Sequence, residues 1–310
     1  MLTDPRICDI SIIIPTLNEA ACISQTVAGL VDQPGVEVIV ADGGSSDRTP
    51  ALAAAAGAKV FSAPAGRGSQ QNAGAQMAQG RVLLFLHADT LLPEGFAAQI
   101  RAALARPGIV AGAFRFAIAA KGWRFRLLEQ GANWRAAWLG LPYGDQALFL
   151  SAARFQSLGG FMEIALLEDL ELVLRLRKVG RLALLKTPAL TSARRWQQLG
   201  LARTTMVNQI ILLGFFCGLN PDRLARWYYG GWEINGGFLG KQEMVQSLIG
   251  DKGKEKPGTF AQVWRGKGAG HQGVGIRQQP GQHHEEHGNN HRRLEQTENS
   301  ARKPVKPTKE

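Results

Sequence analysis

From residue 9 onward, short apolar runs alternate with amphipathic or alanine-rich stretches. "DISIIIPT" (9–16) is a β-branched run brought to its end by Pro15. A helix is predicted to follow, with Asn18 at its N-cap and its last turn near Leu30. "VEVIVAD" (36–42) is the next buried strand, closed by "GGSSD". A second helix is predicted from Arg48 through "ALAAAAG", where Gly57 stops it. "KVFSAP", "SQQNAGAQMAQG" and "RVLLFLHAD" then read as strand, helix and strand. Such alternation predicts βαβ units and a mostly parallel sheet covered by helices on both faces.

The second half changes character. "IVAGAFRFAIA" (109–119) alternates like a strand, and "KGWRFRLLEQGANWRAAWLG" (121–140) is an aromatic, basic helical stretch. "DQALFLSAARFQSLGGF" reads as a strand followed by a turn. "LEDLELVLRLRKVG" (167–180) is a helix with acids in its first turn, Arg and Lys in its last and Gly180 just beyond. Glu171 and Arg175 are spaced to pair within it. Residues 196–240 look helical and aromatic-rich. After about Gly250 the apolar period is lost, and 251–310 read as a disordered basic tail. There is no internal repeat.

Charge modifies this picture only a little. The 310 residues carry a net charge of +11, but residues 1–250 hold 24 Lys/Arg against 18 Asp/Glu, and the tail holds the rest of the excess. The body is mildly basic, which suits an anionic substrate, an acidic membrane surface or simply a solvated face. Cys8, Cys22 and Cys217 lack paired or metal-type spacing, so a reduced, cytoplasmic protein is expected, with no export signal in "MLTDPRICD". "IILLGFFCGL" (210–219) is about half the length of a spanning helix. "HHEEHGNNH" in the tail is either a solvated segment or an adventitious metal binder.

The polar clusters fall where the strands end: "PTLNE", "DGGSSD" and "HAD". Ligands of open α/β sheets bind outside the carboxyl ends of the strands. Asp42 could accept from a base imino group or a ribose hydroxyl, whereas Asp47 or Ser46 is suited to cap the next helix. Neither glycine-rich turn matches GxGxxG or GxxxxGK[ST], so dinucleotide and P-loop chemistry are poor fits. Glu168 and Asp169 open a helix, either as an ordinary acidic first turn or as a base. Asp145 and Gln146 are a polar turn or an acceptor contact.

These segments, with "GGFMEIALLEDLELVLRLRKVG" and "TSARRW", resemble the inverting GT-A glycosyltransferases of glycosyltransferase family 2 in order and spacing over about residues 10–200. Within that family the wording is similar to the branch labelled arsenosugar-biosynthesis or diaponeurosporenoate glycosyltransferase. The resemblance implies a Rossmann-like α/β GT-A domain with a helical C-terminal extension. A nucleotide-sugar-binding half would span 1–120, an acceptor-binding and catalytic half 121–200, and the extension 201–250. It further implies that Pro15, Leu17 and Glu19 form the first nucleotide-binding loop and that Asp42 reads the uracil. Arg67 would lie near the nucleotide-sugar and Asp89 would hold a divalent ion, Mn²⁺ or Mg²⁺, on the diphosphate. Asp169 would be the general base, preceded by the Gly159-Gly160-Phe161 turn. His87 stands where the first acid of DxD is usual. It would hydrogen-bond the ribose or diphosphate, or bind the ion as neutral imidazole, a ligand that suits Mn²⁺.

Arg194, Arg195 and Trp196 resemble a truncated arginine–tryptophan motif, for the diphosphate or acceptor; the QxxRW wording of processive members is absent. The expected partners are a nucleoside diphosphate sugar, probed first as a UDP-sugar, and a sugar, lipid or other small-molecule acceptor. The aromatic-basic segments suit a membrane surface at the inner face of the cell membrane, or packing on the domain core. A sugar-phosphate nucleotidyltransferase would want a glycine- and arginine-rich turn where "PTLNEA" stands. A non-catalytic membrane or nucleic-acid module has no need of Asp42, Asp89 and Asp169 at element ends, and no nucleic-acid-binding signature is present.

Overall fold

The computed structural model describes residues 8–230; the expected tail and the end of the expected extension lie outside the described residues. The strands are β1 (Ile10–Thr16), β2 (Val36–Asp42), β3 (Lys59–Ser62), β4 (Val82–Phe85), β5 (Thr90–Leu91), β6 (Ile109–Ile118), β7 (Leu148–Ser151) and β8 (Arg181–Thr191). They form one sheet in the order β3-β2-β1-β4-β7-β6-β8-β5. The helices are α1 (Ile23–Ala28), α2 (Thr49–Ala55), α3 (Arg67–Met77), α4 (Phe96–Leu104), α5 (Trp123–Leu139), α6 (Ala152–Ser157), α7 (Glu168–Val179), α8 (Arg194–Leu199), α9 (Leu201–Phe216) and α10 (Pro221–Gly230). This is the mixed α/β, Rossmann-like arrangement that the strand–helix rhythm predicts.

β1 is central, paired in parallel with both β2 and β4. Helices cover both of its faces, which is why its sequence is a continuous apolar run. Ile10, Ile12 and Ile14 enter one core cluster with Phe96 and Ile100 of α4. Ile13 points the other way, into a cluster with Phe85, Leu148 and the Leu170, Val173 and Leu176 face of α7. α3 lies flush on β1: a methyl group on Gly74 would come within 2.4 Å of Ile13 Cγ2. At the opposite end of the strands, buried Glu37 accepts from Ser11 Oγ (2.5 Å), Lys59 Nζ (2.6 Å) and the Gln79 N–H (2.7 Å), tying β1, β2 and β3 together.

Three features depart from the pattern. β7 runs antiparallel between β4 and β6, because an apolar run does not encode strand direction. Apolar pattern alone also passes over α4 and over β8, whose polar Lys186 and Pro188 interrupt its alternation. Asn18 does not cap α1, which starts at Ile23 with Cys22 before it. Instead Asn18 adopts φ 55°, its N–H donates to Ser45 Oγ, and its Oδ1 accepts from the Ser46 N–H. It staples the loop after β1 to the loop after β2.

α5 is attached in an unusual way. β7 pairs with β6 only at Ala111 and Gly112. Beyond that point, alternate residues of β6 are met by side chains. Gln146 Nε2 donates to Phe114 O (3.0 Å). Asn133 accepts from the Phe116 N–H (2.7 Å) and donates to Phe116 O (2.9 Å). Glu129 accepts from the Ile118 N–H (2.6 Å), and Arg126 donates to Ile118 O (3.0 Å). The buried residues of α5 are Glu129, Asn133 and Ala136, two of the three polar.

Candidate active site

The carboxyl ends of β1, β2 and β4 share one edge because those strands are parallel. The reversal at β7 puts the 3-10 turn Gly144–Gln146 at the same edge, since Leu148 pairs with Phe85. The end of β8 joins them: the Ser192 N–H donates to Asp89 O (3.0 Å), and Thr90 and Thr191 hydroxyls meet at 3.1 Å. Loops from five strands therefore converge, and the antiparallel strand is what brings in the Gly144 turn.

The β2 loop is organised by Asp42, which is buried. Its Oδ2 accepts from the Gly44 N–H (3.1 Å) and Ser45 N–H (2.8 Å), and its Oδ1 from the hydroxyls of Ser45 (2.5 Å) and Thr16 (3.1 Å). Asp47 accepts from the Thr49 N–H at the start of α2 and from the Ala20 N–H of the first loop; it precedes the N-cap, Arg48, and ties the two loops together. Glu19 pairs with Arg194 at 2.6 Å, locking the first loop to the segment after β8. Pro15 faces Ala41 in β1, beyond the last residue paired to β4, where its missing N–H is harmless; Leu17 follows, half-buried.

His87 and Asp89 follow β4. Burial, reinforced by Arg67, holds the His87 imidazole down to about 4, with Asp89 and Asp169 opposing, so the ring is neutral at pH 7. Among the described residues the Asp89 carboxylate takes no hydrogen bond, and no group of three or more His, Cys, Asp or Glu side chains is gathered to hold a metal.

Asp169 is fixed from two sides. Leu167, at φ 65°, turns the chain into α7. Asp169 Oδ2 accepts from the Gly144 N–H (2.5 Å) and Oδ1 from the Leu170 N–H (2.8 Å). A methyl group on Gly144 would lie 3.0 Å from Asp169 Oδ2 and 3.1 Å from His87 Nε2, so the carboxylate and the imidazole flank one point. Glu168 is buried and pairs with the half-exposed Arg67 at 3.3 Å. Burial pushes the Glu168 carboxyl up, against the pull of Arg67. The Gly159-Gly160-Phe161 turn is braced by Asn72 of α3, which exchanges two hydrogen bonds with the Phe161 backbone (both 2.9 Å). Arg175, paired with Glu171 as the spacing predicts, also donates to Gly160 O (2.7 Å).

One expected contact is corrected. Gln146 is fully enclosed, its amide spent on Phe114 O and the Tyr143 N–H, so it offers nothing to an acceptor. Trp196 packs beside Phe116, ring centroids 6.0 Å apart, as part of an apolar cluster. Arg195 stands over the Tyr228 ring at 5.2 Å. Sequence reasoning missed Gly144, whose backbone carries no side-chain signal. It also missed Tyr143, with a buried hydroxyl that no group among the described residues hydrogen-bonds and Arg135 stacked 3.4 Å over its ring. Tyr229 of α10 was missed too; it lies in the field of Arg67, Glu168 and Arg195.

Asp145 is near this centre, with Oδ1 buried and without a hydrogen bond among the described residues. Burial lifts its carboxyl to about 6; Arg135 opposes and Asp169 adds. In the unfolded chain it ionises near about 3.9. Between those values the folded chain binds more protons than the unfolded one, so the group's contribution to stability is present below pH 4 and lost as pH rises to 6. Asp145→Asn should therefore raise the melting temperature at pH 7.5 relative to the native chain and leave it unchanged at pH 4. Equal melting at both pH values would contradict the assignment.

Residues 11–156 match the family model described as Glycosyl transferase family 2, just under half of the chain. No curated protein sequence matches it. Among solved structures, a mannosyltransferase from Pyrobaculum calidifontis in complex with GDP-Man and Mn²⁺ is 20% identical. That alignment covers 61% of this chain and 58% of that one, with a TM-score of 0.48. Glucosyl-3-phosphoglycerate synthase from Mycobacterium tuberculosis, in complex with Mn²⁺, UDP-Glc and phosphoglyceric acid, is 22% identical over 68% of this chain and 80% of that one, TM-score 0.48. S. aureus TarS 1-349 is 15% identical over 78% and 81%, also at 0.48. The chain spans less than two thirds of the mannosyltransferase's length.

Proposed function

We propose that this chain, with its glycosyltransferase family 2 match over residues 11–156, moves a sugar from a nucleoside diphosphate sugar, read as a UDP-sugar, to an acceptor hydroxyl with inversion. The observation that carries the reading is the joint at Gly144, where Asp169 and His87 flank one point and His87 leads directly to Asp89. Direct displacement needs a carboxylate for the attacking hydroxyl's proton and positive charge for the departing diphosphate.

Asp169 fills the first role. As the acceptor oxygen bonds to the anomeric carbon, its proton passes to the carboxylate, and the diphosphate leaves with the electron pair of the broken bond. Glu168 acts by holding Arg67 in place, since it is committed to that ion pair. Arg67 and Arg195 supply fixed cations. Asp89 is the residue that would hold Mn²⁺ or Mg²⁺. One uncommitted carboxylate beside a neutral imidazole, with no fuller cluster among the described residues, fits an ion shared with substrate phosphates better than an all-protein cage. When bound, the ion neutralises charge on the diphosphate. His87 contacts the ribose or diphosphate in this reading, with ligation of the ion as the alternative.

Asp42 as the uracil reader requires Ser45 to give up its bonds when nucleotide enters. In this reading Asp145 serves the acceptor side, supported by its buried Oδ1, which no described group hydrogen-bonds, and by its raised carboxyl. The acceptor is read as a lipid, carotenoid or arsenosugar precursor, met at the inner face of the membrane. Among the described residues no helix is long and apolar enough to cross one. Calorimetry with UDP is the direct test: binding is expected with Mn²⁺ and much weaker without it. No UDP binding at any Mn²⁺ concentration would sink the proposal.

A further inference from the structure

α5 leaves its largest apolar side chains outside, although it packs on the domain through others. Its inward face mixes the buried Glu129 and Asn133 with Phe125, Leu128 and Ala132 packed on Phe116 and Ile118, while its outward face carries Trp123, Trp134 and Trp138, exposed by 68%, 59% and 77%, with Leu127 and Leu139 also exposed. Positions 123, 127, 134 and 138 fall within one narrow stripe at helical spacing. Trp134 and Trp138 stack on each other, centroids 6.5 Å apart, and Arg124 lies over Trp123 at 5.5 Å. Scattered exposed apolar groups are ordinary on a protein surface; a continuous aromatic stripe is not.

The charges choose the occupant. Across residues 121–140 the one acid is Glu129, which points inward to the Ile118 N–H. Every outward charge is therefore positive. At the N-terminal end of the stripe the surface forms an open depression of about 670 Å³ lined by Ile118 to Gly122 and Arg126. A second hollow of about 270 Å³ beside it is lined by Lys121, Trp123, Arg124 and Leu201 at the start of α9. A second copy of the chain would set these cations against their own likeness. A bilayer with anionic headgroups complements both parts at once, taking the indoles at headgroup depth and phosphates among the cations.

We propose that the outward face of α5 docks on an anionic lipid surface, with the helix lying in the plane of the interface. The argument rests on this face alone and holds whichever reaction the strand-end site performs. Co-sedimentation of the full chain tests it without any nucleotide, using phosphatidylcholine vesicles and phosphatidylcholine–phosphatidylglycerol vesicles. The native chain should pellet with the mixed vesicles and be released by salt. Trp134→Ser/Trp138→Ser should lower the partition coefficient by about tenfold or more, since buried apolar area sets interfacial binding. Lys121→Glu/Arg124→Glu should remove the preference for the anionic vesicles. Both variants change exposed side chains, so their melting temperatures should match the native chain and confirm that they fold. Native-level binding by the tryptophan variant, no pelleting by the native chain, or a dimer that the tryptophan variant dissolves would each overturn the proposal.

Discussion

Asp169→Asn is expected to lower the rate of sugar transfer by about 10²- to 10⁴-fold, the usual worth of a positioned general base, while UDP affinity stays within about twofold. The substitution keeps the shape of the side chain and removes the basic oxygen. It has one local consequence. The carboxylate accepts from both the Gly144 and Leu170 N–H groups, and an amide has a single oxygen for the two. The oxygen should stay with Gly144, the shorter contact, leaving the amide nitrogen facing the Leu170 N–H, a donor–donor contact at the buried start of α7. Single-turnover rates beside UDP calorimetry separate the outcomes. Loss of rate with retained binding supports a base; equal loss of both would mean that Asp169 builds the site without doing chemistry in it.

Asp89→Ala should weaken Mn²⁺-dependent UDP binding by about 100-fold or more, because even outer-shell partners of metal ligands cost about 10- to 100-fold. His87→Ala should cost less, within about tenfold. The two residues follow the same strand, yet their surroundings differ. Asp89 has a carboxylate that no described group hydrogen-bonds, while His87 is a neutral ring whose charged form is opposed by burial and Arg67 and favoured by Asp89 and Asp169. A neutral imidazole can accept from or donate to a nucleotide oxygen but adds no charge against the diphosphate. Titrating Mn²⁺ at fixed UDP for each variant gives the order, and the reverse order would exchange their roles.

The strands that carry the site were legible because burial on both faces leaves an unmistakable apolar run. β1, β2 and β4 lie where "SIIIPT", "VEVIVAD" and "RVLLFL" stand, and the polar residues that end those runs do converge on one edge. α7 was legible for another reason: Glu171 and Arg175 are neighbours by helical spacing alone. What the sequence hid is pairing through space. Glu19 meets Arg194, Asn72 meets the Phe161 backbone, and Glu37 gathers Ser11, Lys59 and the Gln79 N–H across three elements. None of these pairs has a period or a fixed spacing. Strand direction was hidden as well, and with it the reason Gly144 reaches Asp169. Gly144 acts through its N–H and its lack of a side chain, so no residue-type pattern could have marked it.

The side chains that line the free edge of β6 also bear on how that edge is closed to other strands. Phe114, Phe116 and Ile118 would otherwise offer alternate backbone groups to any passing chain, and an unfilled strand edge is a template for sheet growth. Gln146, Asn133 and Glu129 occupy that template with groups that cannot themselves be extended by another strand. The closing of this edge thus rests on two amides and a carboxylate as well as on the apolar contacts of Phe125, Leu128 and Ala132, and a leucine at Asn133 would trade a mild change in polarity for an open edge.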